Sequence, residues 1–363
     1  MEDIAVPVPD LSELERPALE SALTSRGHER FRARQIFGWI YRRGVSDLDR
    51  MTDLPRKLRA ALSAAFTLST PVIAGRDRSS DGTEKFLLRL ADGRQIESVF
   101  IPDSPAMTFC ISTQVGCAMA CAFCLTGKMG LVRNLTAGEI AGQVRVLAEA
   151  LSLLDQAFNI VLMGMGEPLH NYDETMKAMR ILGDEHGFAL PERRVTLSTV
   201  GLLPALERLA REPFMPNLAI SLHAPTDAQR AALVPLNRKY GVDEIVEACK
   251  RFPLKKRSRI TFEYVMLAGQ NDRPEDARRL ARLLAGVKSK VNLIPLNAAA
   301  GIPFDRPSDE AVNRFAKALA EGGVTVSVRK SRGRDIRAAC GQLIVEGQTR
   351  SPGQQLSVAA FGE

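Results

Sequence analysis

A chain of 363 residues, 45% of them apolar, is long enough to bury a sizeable core, which excludes a small disulfide-stapled scaffold. No apolar run approaches the roughly 20 residues that span a bilayer, and no basic stretch leading into an apolar segment opens the chain, so a soluble cytoplasmic protein with no membrane partner is expected. The net charge of +7, from 49 Lys and Arg against 42 Asp and Glu, leans only mildly toward polyanions, and its distribution along the chain says more.

Residues 11–68 read as compact and helical. In "RFRARQIFGWIYRR", Ile36, Phe37, Ile40 and Tyr41 recur at a spacing that stacks them on one helix face and leaves arginines around them. Residues 30–59 carry nine basic side chains against three acidic ones, and further basic clusters follow at Lys255–Arg259 and Arg329–Arg337. Any one of these is ordinarily a solvated face; three together favour nucleic acid over a small acidic substrate. A basic helical RNA-binding domain is therefore expected over residues 1–70. Residues 71–105 read as a linker and a β-hairpin. "STPVIAGRDRSSDGTE" (69–84) has the composition of the linker, and "KFLLRLADGRQIESVFIP" has two apolar alternations around an Asp92-Gly93 turn.

From about residue 106 to 345, short β-like runs alternate with helix-length segments. The expected strands are 108–112, 159–164, 194–199, 218–223, 260–267 and 291–297, with 324–330 as a seventh at one edge. Thr136 and Glu139 fit a capping box opening a helix that carries Ile140, Val144 and Leu147 on one side. This alternation predicts an α/β fold with parallel strands. Six units are too few for a closed eight-stranded barrel, so a partial (β/α)6 barrel is expected, with functional residues at the carboxyl ends of its strands. Residues 346–363 remain as a C-terminal tail, expected to be mobile.

Four of the six cysteines fall in "CISTQVGCAMACAFC" (110–124). Clustered thiols in a reducing compartment point to metal binding or redox catalysis. Cys117, Cys121 and Cys124 have the spacing C-x3-C-x2-C. A zinc ribbon would need a second pair of ligands to close its tetrahedron, and none accompanies them. Three thiolates on a short loop suit a four-iron cluster with one iron left open. A zinc-bound RNA-binding protein without catalysis is the alternative of a different class.

This loop, with Phe123 before its last cysteine, resembles the radical S-adenosylmethionine superfamily. The succession "ESVFIP", "CISTQVGCAMACAFC", "GMGEPL", "RVTLSTVG", "AISLHAP", "EYVML", "NLIPLN", "RGRDIRAACGQL" is similar to the dual-specificity RNA adenine-C2 methyltransferases, the family of ribosomal RNA large subunit methyltransferase N, from about residue 25 to about residue 345. The resemblance implies methylation of C2 of an adenosine in the peptidyl transferase centre of 23S rRNA and of the adenosine 3′ of the anticodon in some tRNAs. Relatives that methylate C8 usually depart from "GMGEPL", so Pro168 favours C2 over that alternative.

The resemblance also implies one [4Fe-4S] cluster on Cys117, Cys121 and Cys124, and two molecules of S-adenosylmethionine per turnover. Gly166, Glu167, Ser198, Ser221, Leu222, His223 and Asn297 would bind that cofactor. Cys340 would carry the methyl group as S-methylcysteine. Cys110 would resolve the RNA adduct through a transient Cys110–Cys340 disulfide, and Glu97 would accept the C2 proton. A cytosolic reductant would reset cluster and disulfide, and the enzyme would act as a monomer. Taken alone, Cys110 in an apolar strand reads as a small buried hydrophobe, and Cys249 as core filling.

Overall fold

The computed structural model describes residues 8–103 and 106–348, so most of the expected tail, from residue 349 onward, lies outside the described residues. The strands among them are β1 (Val72–Arg78), β2 (Glu84–Arg89), β3 (Gln95–Ile101), β4 (Thr108–Cys110), β5 (Gln114–Gly116), β6 (Leu131–Asn134), β7 (Asn159–Leu162), β8 (Val195–Thr199), β9 (Asn217–Ser221), β10 (Ile260–Met266), β11 (Ser289–Pro295) and β12 (Val326–Val328). Ten of them form one sheet in the order β1-β2-β3-β4-β7-β8-β9-β10-β11-β12, while β5 and β6 pair separately. Within that sheet every pairing from β4 to β12 is parallel. The six expected barrel strands thus stand side by side in chain order, and the segment expected at an edge supplies β12.

Alternation and burial explain the layering. Ile160, Leu162, Leu197, Ile220, Phe262 and Leu293 lie in the core. The helix Ala137–Ala150 covers the outer face near β3 and β4. Its capping box is formed: Thr136 Oγ1 accepts the Glu139 N–H at 3.2 Å, and Glu139 Oε2 accepts the Thr136 N–H at 3.0 Å. Ile140, Val144 and Leu147 are fully buried beneath it. No helix among the described residues is long and apolar enough to cross a membrane.

The stretch expected as a linker differs. Residues 72–78 pair with β2 as an edge strand, with a register shift between Ile73 and Gly75. Its charged side chains are exposed and pair across the ladder, Arg76 with Glu84 at 2.5 Å and Asp77 with Lys85 at 3.6 Å. Edge strands carry charge and irregularity that discourage further pairing, and the same composition reads as a loop.

The N-terminal helices pack on the outside of the first βα units. Ile36, Phe37, Ile40 and Tyr41 are buried as their spacing predicts, and Tyr41 donates to the Ser12 carbonyl at 2.9 Å. Arg16 pairs with Asp184 at 2.9 Å, and the fully buried Arg145 donates to the carbonyls of Val45 and Ser69. Arg30, Arg34, Arg42, Arg43, Arg50 and Arg56 stay exposed. The Lys255–Arg259 cluster sits just before β10, at the amino ends of the strands and away from the cysteine loop.

Candidate active site

Two adjoining hollows open at the carboxyl ends of the parallel strands. The larger, about 900 Å3 counting the space open to solvent, is lined by Cys117, Cys121 and Cys124 and by Gly166, Glu167, Ser198, Ser221, His223, Asn297 and Cys340. The smaller, about 470 Å3, contains Cys110 and Cys340. Met163, Ile294, Asn297, Arg329 and Cys340 belong to the wall of both.

Backbone bonds hold the cysteine loop. Cys117 N–H donates to Gly130 O at 2.9 Å, Ala122 N–H to Leu233 O at 2.9 Å, and Cys124 N–H to Cys121 O at 3.1 Å. Gly116 makes this possible: at φ 77° a Cβ there would lie 1.9 Å from the Gly130 carbonyl oxygen. Burial raises the pKa of all three thiols, which favours their ionising beside a positive partner. Among the described residues, no three His, Cys, Asp or Glu side chains converge on a point where one ion would sit. The three thiols line one hollow as a soft donor set, of the kind that suits an iron–sulfur cluster.

Two glycines bring the next loop against this site. A Cβ on Gly164 would meet the Ile111 oxygen at 2.7 Å, and one on Gly166, at φ 104°, would meet Gln114 backbone nitrogen at 2.8 Å. Glu167 follows, buried, its carboxylate accepting the N–H of Leu169 at 3.0 Å and of Val200 at 2.9 Å. Burial outweighs these bonds and raises its pKa to about 7. A cationic amino group entering the hollow would restore its charge.

Across the hollow, Ser198 and Ser221 hydroxyls are 3.4 Å apart. His223 adopts a left-handed φ of 64°, with its carbonyl accepting from Asn271 at 2.7 Å. Its Nδ1 accepts the Val265 N–H at 3.1 Å, which leaves the proton on Nε2. Burial, with Arg230 nearby, lowers its pKa to about 3, so the ring is neutral. Asn297 donates to the Cys340 carbonyl at 3.3 Å, while its buried Oδ1 has no partner. An unpaired acceptor at this wall fits a ligand that donates hydrogen bonds. Leu222 is fully buried behind the wall rather than on it, since its carbonyl is turned toward Arg230.

Cys340 lies on a loop fastened to the cysteine loop. Leu125 N–H donates to Gly341 O at 2.8 Å, and Thr126 Oγ1 to Leu343 O at 2.6 Å. Cys110 faces the same hollow. Burial, and then Cys340, raise its pKa to about 12, while Arg329 pulls the other way. Cys249, buried on the helix Val242–Arg251, lines neither hollow. Glu97 is brought beside this site but not onto its wall: Lys85 Nζ stands 3.0 Å from Oε1, and Ile344 N–H donates to Oε2 at 2.8 Å.

Three residues of the site carry no clear local signal. Arg329, part of a basic run in the sequence, turns inward to the wall shared by both hollows. Glu263 lines the larger one and accepts from Asn292 at 2.9 Å; its one signal is a lone carboxylate in the apolar run "TFEYV". Arg230, fully buried, donates to Leu222 O at 2.9 Å, Val200 O at 2.6 Å and Ser221 O at 3.1 Å. Burial lowers its pKa to about 10, so it stays charged beneath Cys121.

The chain is similar to known proteins over nearly its whole length. Residues 111–281 match the Radical SAM superfamily, and residues 9–68 match the ribosomal RNA large subunit methyltransferase N-terminal domain. The dual-specificity RNA methyltransferase RlmN of Anaeromyxobacter dehalogenans is 48% identical over 360 residues, covering 98% of this chain and 96% of that protein. That of Pelobacter propionicus is 49% identical over 92% of this chain and 95% of its own. The crystal structure of a radical SAM methyltransferase from Sphaerobacter thermophilus superposes with a TM-score of 0.88 at 49% identity, covering 92% of this chain and 99% of that one.

Proposed function

The chain belongs to the dual-specificity RNA methyltransferase RlmN family of the radical SAM superfamily, and on that basis we propose the substrates and residue roles that follow. It is an S-adenosylmethionine-dependent RNA methyltransferase, and its superfamily employs a [4Fe-4S] cluster. Its substrates are 23S rRNA and tRNA, methylated at C2 of an adenosine. Cys117, Cys121 and Cys124 hold the cluster. Gly166, Glu167, Ser198, Ser221, His223 and Asn297 hold the cofactor, with Leu222 buried behind them.

The observation that carries this reading is the shared wall. Cys340 opens both to the hollow with the three-cysteine loop and to the hollow with Cys110. Adenine C2 is electron-poor and does not attack a methyl sulfonium directly, so a radical route is required. Bound in the larger hollow, the cluster and S-adenosylmethionine supply the methyl group and the one-electron chemistry that activates it. Cys340 accepts the methyl carbon on sulfur; with one hydrogen atom taken from that carbon and one electron from the adduct by that one-electron chemistry, the carbon comes to bridge Cys340 and C2. Glu97 accepts the proton leaving C2. The Cys110 thiolate then attacks the Cys340 sulfur; the sulfur–carbon bond breaks, its electron pair stays with the carbon on C2, which takes up a proton from solvent to complete the methyl group, and a disulfide forms. A thiol reductant reverses that disulfide, and two cofactor molecules are consumed per turnover.

Nucleoside mass spectrometry of rRNA and tRNA, from cells with and without the gene, tests the proposal. We expect 2-methyladenosine that depends on the gene in both RNAs; 8-methyladenosine would overturn the C2 assignment, and absence of 2-methyladenosine from tRNA the dual substrate. The exposed arginines of the N-terminal helices grip the phosphates around the extruded base, whose unstacking costs roughly a few kcal/mol. Replacing Arg32, Arg34, Arg42 and Arg43 with Gln should weaken RNA binding. The slope of log affinity against log salt should fall by about one unit for each phosphate no longer neutralised; an unchanged slope would show that these side chains do not touch RNA.

A further inference from the structure

Asp77, Lys85, Val99 and Cys110 form one row across β1 to β4, because Asp77 pairs with Lys85, Lys85 with Val99, and Val99 with Cys110. Directly paired residues share a face of the sheet. Glu97, two residues before Val99, therefore shares the face of Cys110, one step along the strand. The neighbouring Ser98 points the other way, to Gln143 of the outer helix, at 2.8 Å.

Glu97 is 4% exposed, and both of its carboxylate oxygens are engaged. Oε1 meets Lys85 Nζ, whose side chain is itself largely buried. Oε2 accepts the N–H of Ile344, four residues beyond Cys340. The Cys340 loop has other fastenings at its two ends. On one side Ser79 and Ser80 bind Asp335, and Asp81 accepts the Gly333 N–H at 3.0 Å. On the other, Leu125, Thr126 and the Gln342 amide bind neutral backbone carbonyls. Of these fastenings, Glu97 supplies the charged anchor on the side of the loop that follows Cys340.

We propose that Lys85 is a positioning residue for Glu97, and that the Glu97 carboxylate is a charge-dependent latch on the loop carrying Cys340. This rests on the reading of Glu97 as the proton acceptor. A backbone N–H bonded to a carboxylate makes a charge-assisted bond, roughly twice as strong as a neutral one. When Glu97 takes the C2 proton, its ion pair with Lys85 and its hold on Ile344 weaken together. Proton removal thereby frees the Cys340 loop at the stage when Cys110 must reach the Cys340 sulfur. Before that stage, the ionised carboxylate keeps the loop seated.

The charged groups that face Glu97 are Lys85 from β2 and, beyond it, Asp77 from β1. Burial raises the carboxyl's pKa, and Asp77 adds to that; Lys85 and the Ile344 N–H lower it. An opposite charge this close lowers a carboxyl pKa. Removing Lys85 therefore raises it, and the base is ionised only at higher pH.

The test uses the full chain with its cluster loaded, confirmed by iron content, in the variants Lys85→Met, Lys85→Arg and Glu97→Gln. We expect Lys85→Met to move the acid limb of the methylation rate upward by about one pH unit or more, and Lys85→Arg to restore it. We expect Glu97→Gln to lose methylation and to speed amide hydrogen exchange at residues 341–346. An unmoved acid limb in Lys85→Met overturns the positioning role, and unchanged exchange in Glu97→Gln overturns the latch. Full methylation by Glu97→Gln would instead sink the proton-acceptor reading beneath them. If Lys85→Met fails to load its cluster, Lys85→Gln, which keeps a hydrogen-bond donor without the charge, takes its place with the same expected shift.

Discussion

Cys110→Ala should leave the cluster intact and stop the enzyme with its RNA attached. Cys110 lines the hollow that holds Cys340 but not the one lined by Cys117, Cys121 and Cys124. Its loss therefore touches no proposed iron ligand. What it removes is the sulfur that attacks Cys340, and without that attack the carbon bridging Cys340 to C2 has no leaving path. Multiple turnover should fall on the order of 10³-fold or more, the scale on which loss of a covalent nucleophile is felt. Denaturing gels should show a protein band shifted by covalently bound RNA, and Cys340→Ala in the same background should abolish it. Iron loss, or free methylated RNA at the wild-type rate, would remove Cys110 from this role. The wild-type step should also slow as pH falls, because burial and Cys340 raise the Cys110 pKa to about 12 and the reactive thiolate becomes scarcer.

The opposite dissociation is expected for the cysteine loop. Cys117→Ala, Cys121→Ala or Cys124→Ala should each drop iron from about four atoms per chain toward zero and abolish methylation, while the chain stays folded. The loop's conformation rests on backbone bonds to Gly130 and Leu233 and on Gly116, none of which needs a thiol. Anaerobic iron and sulfide analysis, with circular dichroism as the folding control, separates the outcomes. Retention of full iron by any of the three would remove that residue from the ligand set. One zinc and no sulfide in the wild type would defeat the cluster assignment altogether.

Both experiments probe distinctions that differ in how far they can be read locally. The C-x3-C-x2-C spacing, the glycines of "GMGEP" and the alternation of the six core strands are short-range patterns. The alternation records a side-chain period of two, acting within a few residues, whereas the glycines mark backbone with no room for a Cβ against Ile111 and Gln114. Such constraints survive in the order of residues, which is why the parallel strands stand where the alternation puts them. β1 is hidden because an edge strand buries little and has no apolar alternation; its pairing depends on β2 being beside it.

The cysteine loop, the strand order and the basic face of the N-terminal helices are legible in the chain alone, because periodicity, spacing and composition are local. Resemblance to a family also matches Cys110 with Cys340. Which groups surround those sulfurs is settled by packing between distant segments. Packing turns Arg329 inward from a basic run, sets Glu263 on the wall and buries Arg230 beneath the cysteine loop. It also fastens Glu97 to Lys85 and Ile344. The cause is separation: Glu97 and Ile344 lie 247 residues apart, and no local propensity acts over that distance. They meet because sheet register points Glu97 to the face of Cys110, and packing brings the Cys340 loop down onto it.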